Sequence, residues 1–340
     1  NIKQGYLDYS ASQEFIEESA FDDVMRRGKV ELNDVLITTE APLGNVASVD
    51  RTDIALAQRV IKYRGKTGLL DNLFLKQKFL SESFQEILKS KATGGTVQGI
   101  KGSVLHQIPL IVPSKEEQTK IATFLSAVDE KISQLSQKLH LLGQYKQGMM
   151  QKLFSQQIRF KADDGSEFGE WESDKINNIF TNKSKSFNPL LNENLPCIEL
   201  EHLSQSTGQI LGTIDSSGQQ STKNVFEVNS VLFGKLRPYL RKFAQPKFKG
   251  VCSSEIWVLT GIKISNQYLF QYIQSEQFSE LTNIQSGSKM PRADWGVISD
   301  ADIEYPCLEE QTKIANFLST IDQKIEVVAQ QIEQAKTWKK

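Results

Sequence analysis

From Ile121 the apolar residues fall at Leu125, Val128, Ile132, Leu135, Leu139 and Leu142, then at Met149 and Leu153, in alternating steps of four and three with Lys146 as the one polar slot. A second stretch keeps the same steps at Ile314, Leu318, Ile321, Ile325, Val328, Ile332 and Ala335, with Lys339 next. The positions between are mostly Gln, Lys, Ser and Glu. A stripe this narrow, sustained at a 3.5-residue period, predicts two long helices that each need a partner helix, because only a supercoiled pair keeps such a seam buried along its length. The plainer alternative is a helix packed on a globular core; more than four turns of stripe with a polar remainder favour the coiled coil.

The two stretches are copies. At an offset of 193, Glu116-Glu117-Gln118-Thr119-Lys120-Ile121-Ala122 matches Glu309-Glu310-Gln311-Thr312-Lys313-Ile314-Ala315 at every position, and the match continues through Phe124-Leu125-Ser126, Asp129 and Lys131-Ile132. A period that long is no solenoid unit, so the chain reads as a duplicated domain plus connector with an internal pseudo-two-fold repeat. Pro113 with Ser114, and Pro306 ahead of Glu309, mark the two starts, and paired glutamates complement the positive helix end. Ser114 and Glu117 have capping-box spacing that the second copy lacks.

Between the helices the pattern shortens. Val35-Leu36-Ile37 and Val231-Leu232-Phe233 each follow an asparagine, Asn33 or Asn229; Ala55 to Tyr63 has its counterpart in Ser254 to Leu259. Helix-like stretches follow, about Asp71 to Lys89 and Asn266 to Leu281, ending in Gly94-Gly95-Thr96 or Ser286-Gly287-Ser288. Short strands mixed with a few helices predict an α+β chain. Its expected parts are a mixed domain over 1–113, a long helix over 114–158, a second mixed domain over 159–306 and a second long helix over 307–340, the two helices pairing antiparallel. A common plan with divergent side chains points to one fold reading two different targets. The second domain opens near Trp171, so by the offset the first is expected to open about 22 residues before Asn1 and to be truncated here.

At 340 residues, 24% charged and 39% hydrophobic, the chain holds two cores and is neither a disordered tail nor a single small module. No apolar run of about 20 residues predicts a membrane span, and no secretory leader opens the sequence. Cys197, Cys252 and Cys307 are odd in number and widely spaced, which supports neither a disulfide framework nor a metal knuckle and fits a reducing cytoplasm.

The net charge of -1 decides nothing about partners; local charge does. From Lys223 to Gly250 the cations Lys223, Lys235, Arg237, Arg241, Lys242, Lys247 and Lys249 face Glu227 alone, and Arg51 to Lys101 carries ten Lys or Arg against four acids, with Arg59, Lys62, Arg64 and Lys66 close together. One charge run is usually a solvated face. Two, one in each domain of a near-neutral chain, favour a nucleic-acid partner. Arg237, Tyr239 and Arg241 alternate with apolar or small neighbours, which predicts cations and an aromatic along one side of an extended segment. Arginine there can take bidentate bonds to guanine, whereas lysine mostly holds phosphates. The glycine turns align at the same offset, and the polar residues around them, Thr96, Gln98, Lys101, Lys289 and Arg292, are of types that contact phosphates or base edges. The plainer reading makes these ordinary loops.

Catalytic sets are missing. The glycines around Gly94 match neither G-x-G-x-x-G nor the P-loop, and His106, His140 and His202 lie far apart with no further ligands, so neither a catalytic nor a metal site is expected. Asn188-Pro189-Leu190-Leu191 begins like the loop of amino-methyltransferases but lacks its second proline, its aromatic and any cofactor loop upstream.

The duplicated Pro, Glu-Glu-Gln-x-x-Ile-Ala, Phe-Leu, Asp-x-x-Ile start (Pro113 to Ile132, Pro306 to Ile325), the Met149-Met150-Gln151-Lys152-Leu153-Phe154 close of the first helix and the Gly169-x-Trp171 opening of the second domain carry a resemblance. Over essentially its whole length the chain resembles the specificity subunit of a type I restriction-modification system. The departures are the missing start of the first domain and an end at Lys340, short of the expected close of the second helix. The resemblance implies two target-recognition domains, each reading one half of a bipartite, asymmetric site in double-stranded DNA, separated by an antiparallel pair of helices. It implies no active site and no cofactor in this chain: modification (methyltransferase) subunits would bring S-adenosylmethionine and methylate adenine, and restriction subunits would bring ATP and Mg for translocation and cleavage. The helices would serve as ruler and docking surface; the seam from Ile121 to Leu153 is roughly 48 Å long at 1.5 Å per residue, more than one duplex turn of about 34 Å. Two other readings remain open: a coiled-coil scaffold with two protein-binding adaptor domains, and the recognition part of a fused DNA-modifying enzyme.

Overall fold

The computed structural model describes residues 1–11, 14–283 and 290–339. The chain forms two compact units, one of residues 1–137 with 328–340, the other of residues 138–327, so each long helix contributes to both.

In the first unit a short helix α1 (Phe21–Val24) precedes strands β1 (Val35–Thr38), β2 (Val46–Ser48) and β3 (Val60–Tyr63), which pair antiparallel in the order β2-β1-β3. β1 is buried on both faces, and its period of two sorts the side chains. Val35 and Ile37 pack on Leu75, Phe79, Phe84 and Leu88 of helices α2 (Asn72–Leu80) and α3 (Glu82–Ser90), while Leu36 packs on Met25, Val30 and Val49. The single helix expected over Asp71 to Lys89 is two, because Ser81 leaves helical geometry at ψ 143° and caps α3 by accepting from the Phe84 amide at 3.4 Å. Helix α4 (Gly102–Leu105) leads to the long α5 (Lys115–Phe154).

The second unit repeats this plan with more sheet. A two-stranded antiparallel sheet of β4 (Glu172–Lys175) with the last strand, β14 (Asp302–Tyr305), borders it, and α6 (Ile176–Ile179) runs into β5 (Phe180–Thr181). β6 (Ser186–Phe187), β7 (Pro196–Ile198), β8 (Ile214–Asp215), β9 (Lys223–Phe226) and β12 (Gly250–Cys252) form a five-stranded sheet in the order β6-β9-β12-β7-β8. β10 (Val231–Gly234), β11 (Phe243–Ala244) and β13 (Ile256–Gly261) join β5 in the order β11-β10-β13-β5. Helices α7 (Asn266–Tyr272), α8 (Glu276–Thr282) and α9 (Trp295–Ser299) precede the long α10 (Leu308–Lys339).

β10 copies β1. Val231 and Phe233 face Tyr268, Leu269 and Tyr272 of α7, and Leu232 faces Phe226, Cys252 and Val258 on the other side. The asparagines ahead of the two strands share the left-handed turn expected of that residue, φ 67° at Asn33 and 63° at Asn229. The turns after β3 and β13 match as well. Gly65 donates its amide to Asn72 Oδ1 at 2.6 Å and Gly261 to Asn266 Oδ1 at 2.8 Å. A Cβ on either glycine would sit 2.3 Å from Leu70 O or 1.8 Å from Ile264 O, so only glycine lets the chain fold back into the next helix.

The Glu-Glu-Gln repeat anchors each long helix to its unit through the glutamine. Buried Gln118 accepts from the Asp71 amide at 2.8 Å and donates to Leu69 O and Pro113 O at 3.0 and 2.9 Å. Buried Gln311 does the same with the Ser265 amide at 2.9 Å, Lys263 O at 3.4 Å and Pro306 O at 2.8 Å.

Within the second unit α5 and α10 run antiparallel, with Lys146 on Asp322 and, past the end of α5, Arg159 on Glu310. Ile314, Leu318 and Ile321 of α10 join Met150, Leu153 and Phe154 of α5 in the core built by Phe180, Tyr268 and Tyr272. Val328 and Ile332 are also buried, and Ile325 is half-buried. On α5, Ile121, Leu125, Val128, Ile132, Leu139 and Leu142 are half-buried and Leu135 is buried. The predicted seam is therefore shared: one flank meets the partner helix, the other meets the α/β core.

Candidate nucleic-acid interface

In each unit three chain segments meet at one end of the central strands, and the same backbone hydrogen bonds hold them. In the first unit the Thr39 amide donates to Arg59 O at 2.8 Å, the Ile100 amide donates to Thr39 O at 3.0 Å, and Glu40 bridges to Gly99. In the second the Lys235 amide donates to Glu255 O at 3.0 Å, the Ala293 amide donates to Lys235 O at 2.9 Å, and Leu236 bridges to Arg292. Lys235 thus stands where Thr39 does, Glu255 where Arg59 does, and Arg292 where Gly99 does. The backbone is duplicated and the chemistry at its tip is not.

This corner collects most of the residues the sequence singles out. Arg59, Thr96, Gln98 and Lys101 are exposed on the first unit. Arg237, Tyr239 and Arg292 are exposed on the second, where Lys235 is half-buried. Lys289 lies outside the described residues, as do Ser286, Gly287 and Ser288 of the second glycine turn.

The extended segment expected over Arg237 to Arg241 is instead a tight 3-10 turn, Pro238–Leu240, flanked by two left-handed residues, φ 52° at Arg237 and 49° at Arg241. Such backbone costs about 1–3 kcal/mol per non-glycine residue and persists only where surrounding bonds impose it. Here the Arg237 amide donates to Pro291 O at 2.7 Å and the Ser206 amide donates to Arg241 O at 2.9 Å. The turn sends the two arginines different ways. Arg241 donates to Gln274 O and lies 4.0 Å from a Glu276 oxygen, so its guanidinium faces the fold. Arg237 points to solvent, as does Tyr239 at 55% exposure.

Several other cations are held by acids or carbonyls that a reading along the chain does not pair with them. Arg64 donates from Nε and Nη2 to the buried Asp34 carboxylate at 2.6 and 2.7 Å and also contacts Glu31; Lys62 donates to Lys29 O at 2.6 Å. Burial pushes the Asp34 carboxyl up, but the Arg64 hydrogen bonds and the Glu31 amide outweigh it, and the net shift is below the usual carboxylate value. Lys242 donates to Leu200 O at 2.6 Å, Lys249 pairs with Glu227 at 2.9 Å, and Lys247 donates to Asn229 Oδ1 at 2.9 Å. Lys223, 3% exposed, is held by Glu199 at 2.6 Å. Several of the cations counted along the chain are therefore committed within the fold rather than free at the surface.

Two arginines at the corner carry acids that the sequence reading overlooks. Arg59 Nε lies 2.7 Å from Glu40 Oε1, and Arg292 donates from Nε and Nη2 to Glu255 at 3.0 and 3.2 Å. The Glu255 hydrogen bonds raise the Arg292 pKa above its usual value. Partners 19 or 37 residues away leave no local pattern in the sequence; only strand pairing reveals them.

Among the described residues no cluster of three or more His, Cys, Asp or Glu side chains could hold a metal ion, and no helix is long and apolar enough to cross a membrane. His202 has a local duty, its Nδ1 accepting from the Glu199 amide at 3.0 Å. What the corner offers is a rim of fixed and mobile cations around a strand end, suited to the phosphates and base edges of a nucleic acid.

The family model described as the type I restriction modification DNA specificity domain matches residues 26–142 and again 169–337. Among curated relatives, the type I restriction enzyme MjaVIII specificity subunit of Methanocaldococcus jannaschii is 25% identical over 99% of this chain and 84% of its own length. The type I restriction enzyme EcoDI specificity subunit of Escherichia coli is 23% identical over 81% of this chain and 70% of its own. The crystal structure of the S subunit of a type I restriction-modification system from M. genitalium shares the fold at a TM-score of 0.62 and 15% identity, covering 100% of this chain and 91% of that one.

Proposed function

This chain belongs to the type I restriction-modification DNA specificity family, and from that premise we propose that it is the non-catalytic, sequence-reading subunit of a type I restriction-modification complex. Each unit reads one half of a bipartite, asymmetric site in double-stranded DNA through its strand-end corner. The residues assigned to this contact are Arg59, Thr96, Gln98 and Lys101 in the first unit and Lys235, Arg237, Tyr239, Lys289 and Arg292 in the second. Lys62 and Arg64, which bond at the Asp34 end of β1 opposite the corner, and Arg241 and Lys242, whose donors are occupied within the fold, hold their own units together rather than face the DNA. Methyltransferase subunits dock on the complex and supply S-adenosylmethionine; restriction subunits supply ATP and magnesium. The work is done in the cytoplasm, where its DNA and partner subunits are.

The observation that carries this reading is the duplicated corner: identical backbone bonds at Thr39/Arg59/Ile100 and Lys235/Glu255/Ala293 present unlike side chains. A structural brace would not need to differ between copies, whereas two readers of unlike half-sites must. The test is a mobility-shift titration of the purified chain with its modification subunits across a salt series. Sequence-selective binding that weakens steeply as salt rises is expected, because phosphate contacts release counterions. Absence of DNA binding, or binding indifferent to salt, would point to a protein-binding scaffold instead. Mapping methylated adenines in cells that carry the complete system would give the site itself.

A further inference from the structure

The two glutamate-held arginines at the corners are not copies of one another. By backbone equivalence Arg59 corresponds to Glu255, Glu40 to Leu236 and Gly99 to Arg292. Each unit therefore has one arginine and one glutamate at this corner, yet on different segments. The pairs are poorly placed to brace the fold: Arg59 is 63% and Arg292 48% exposed, and exposed ion pairs contribute little to stability. The backbone bonds already close the corner without them.

What a carboxylate behind an arginine does is fix the fork. With Nε and one Nη2 proton on Glu255, Arg292 keeps three N–H donors in a plane whose direction is set before any ligand arrives. Arg59 Nε lies 2.7 Å from Glu40 Oε1, an ion pair that ties the guanidinium to the same corner of the first unit. A planar pair of outward donors fits two adjacent acceptors, and in the major groove guanine O6 and N7 offer that pair. Pre-orientation also removes side-chain freedom that binding would otherwise have to freeze. Arg51 is likewise held by an acid, Asp53, but two residues away on one loop at the opposite end of β1, outside the corner.

We propose that Arg59 and Arg292 are the base-reading arginines of the two units, each paired with its own glutamate, Glu40 or Glu255, and each reading a guanine in its own half-site. This assignment rests on the DNA-reading function proposed above and names its specificity-determining residues. Glu40 and Glu255 are positioning residues: they act through the arginines and do not touch DNA.

The experiment is selection from a pool of duplexes randomised across both half-sites, using the full chain with its modification subunits. Native protein is compared with Arg59→Ala, Arg59→Lys, Arg292→Ala, Arg292→Lys, Glu40→Gln and Glu255→Gln. Each alanine variant is expected to lose a guanine preference on the order of tenfold to a hundredfold at one position of one half-site, leaving the other half unchanged. Lysine should not restore it, because an ammonium lacks the fork. The glutamine variants should weaken the same preference by a smaller factor at the same position, with no change in salt dependence. Uniform loss over all sequences, or full rescue by lysine, would reassign the arginines to phosphates and overturn the proposal while leaving the DNA-reading function standing. An unchanged selected sequence would also overturn it. Failure of the native protein to select any sequence would sink the function itself and this assignment with it.

Discussion

Lys146 Nζ lies 2.6 Å from Asp322 Oδ1, and the same pair recurs 193 residues along, where Lys339 contacts Asp129. The polar slots that interrupt both apolar seams are thus filled by one device used twice. Each aspartate is also met by a glutamine from its own unit, Gln77 on Asp129 at 2.8 Å and Gln271 on Asp322 at 3.1 Å. Lys146 has a second partner in Gln274 Oε1 at 2.7 Å. Burial lowers the Lys146 pKa and Asp322 only partly restores it, so this is a pair whose desolvation cost is substantial. A polar pair inside an apolar seam tolerates few registers, since any slip leaves both charges unpartnered.

Removing one member is accordingly expected to cost more than removing both. Lys146→Met should destabilise the chain by about 2 kcal/mol, below the value for a fully buried pair because Asp322 remains about a third exposed to water. Lys146→Met with Asp322→Leu should recover part of that loss. Urea unfolding of the native chain, both single variants and the double variant gives the coupling; additive effects would remove the pair from the account of helix register.

The motif glutamines are expected to be worth more than their exposed glutamate neighbours Glu116, Glu117 and Glu309. Gln118→Leu or Gln311→Leu leaves a helix-capping amide and two carbonyls without their partner, a cost of about 2 kcal/mol each. Glutamate should be worse than leucine, because it keeps the acceptor, loses both donors and brings a charge into a buried site. Glu116→Gln should change nothing measurable. Denaturant midpoints for the four variants order the effects, and a Gln311→Glu chain as stable as the native one would contradict the anchoring role.

Much of this was legible in the sequence because periodicity and repetition are local. The seams, the duplication and the strands at Val35 and Val231 follow from apolar spacing alone. The glutamine of Glu-Glu-Gln was visible as a repeated letter, but two of its three hydrogen bonds reach residues 47 and 49 positions away in the first unit, and nothing near Gln118 encodes those two. The same limit explains the charges. Counted along the chain, Lys223 and Lys249 add to a basic stretch, whereas in the fold Glu199 and Glu227 neutralise them. The turn at Arg237 departs from the extended segment that alternation predicts, because alternation of side chains does not register a Pro238–Leu240 turn held between two left-handed residues.

Asp34 should make the first unit sensitive to acid. Its carboxylate is buried, accepts two bonds from Arg64 and one from the Glu31 amide, and titrates below its ordinary value of 3.8. A carboxyl whose folded pKa is depressed contributes stability above its unfolded value and loses it as pH falls through the folded one. Asp34→Asn is therefore expected to cost about 2 kcal/mol at neutral pH, less than for a fully buried pair because Arg64 is 38% exposed and keeps Glu31 as a partner. The gap between variant and native chain should close as pH drops below about 4. Chemical unfolding at pH 7, 5 and 3 measures it, and a gap independent of pH would assign the cost to packing rather than to charge.

Arg237 and Arg241 bracket the same turn, yet they should fail differently when replaced. No carboxylate among the described residues orients Arg237, so its guanidinium is a mobile cation suited to phosphate rather than a fixed fork suited to a base. Arg237→Ala is expected to weaken binding on every DNA sequence and to reduce the slope of log affinity against log salt by about one. Arg241 spends its donors on Gln274 O and Glu276, so Arg241→Ala should leave that slope nearly unchanged and instead loosen the turn, lowering thermal stability and affinity for the second half-site together. Salt titrations of both variants on specific and random duplexes separate the two roles. Equal slopes with unequal affinities for Arg237→Ala and native protein would mean that Arg237 reads a base after all, and that a fixed fork is not required for readout at this corner.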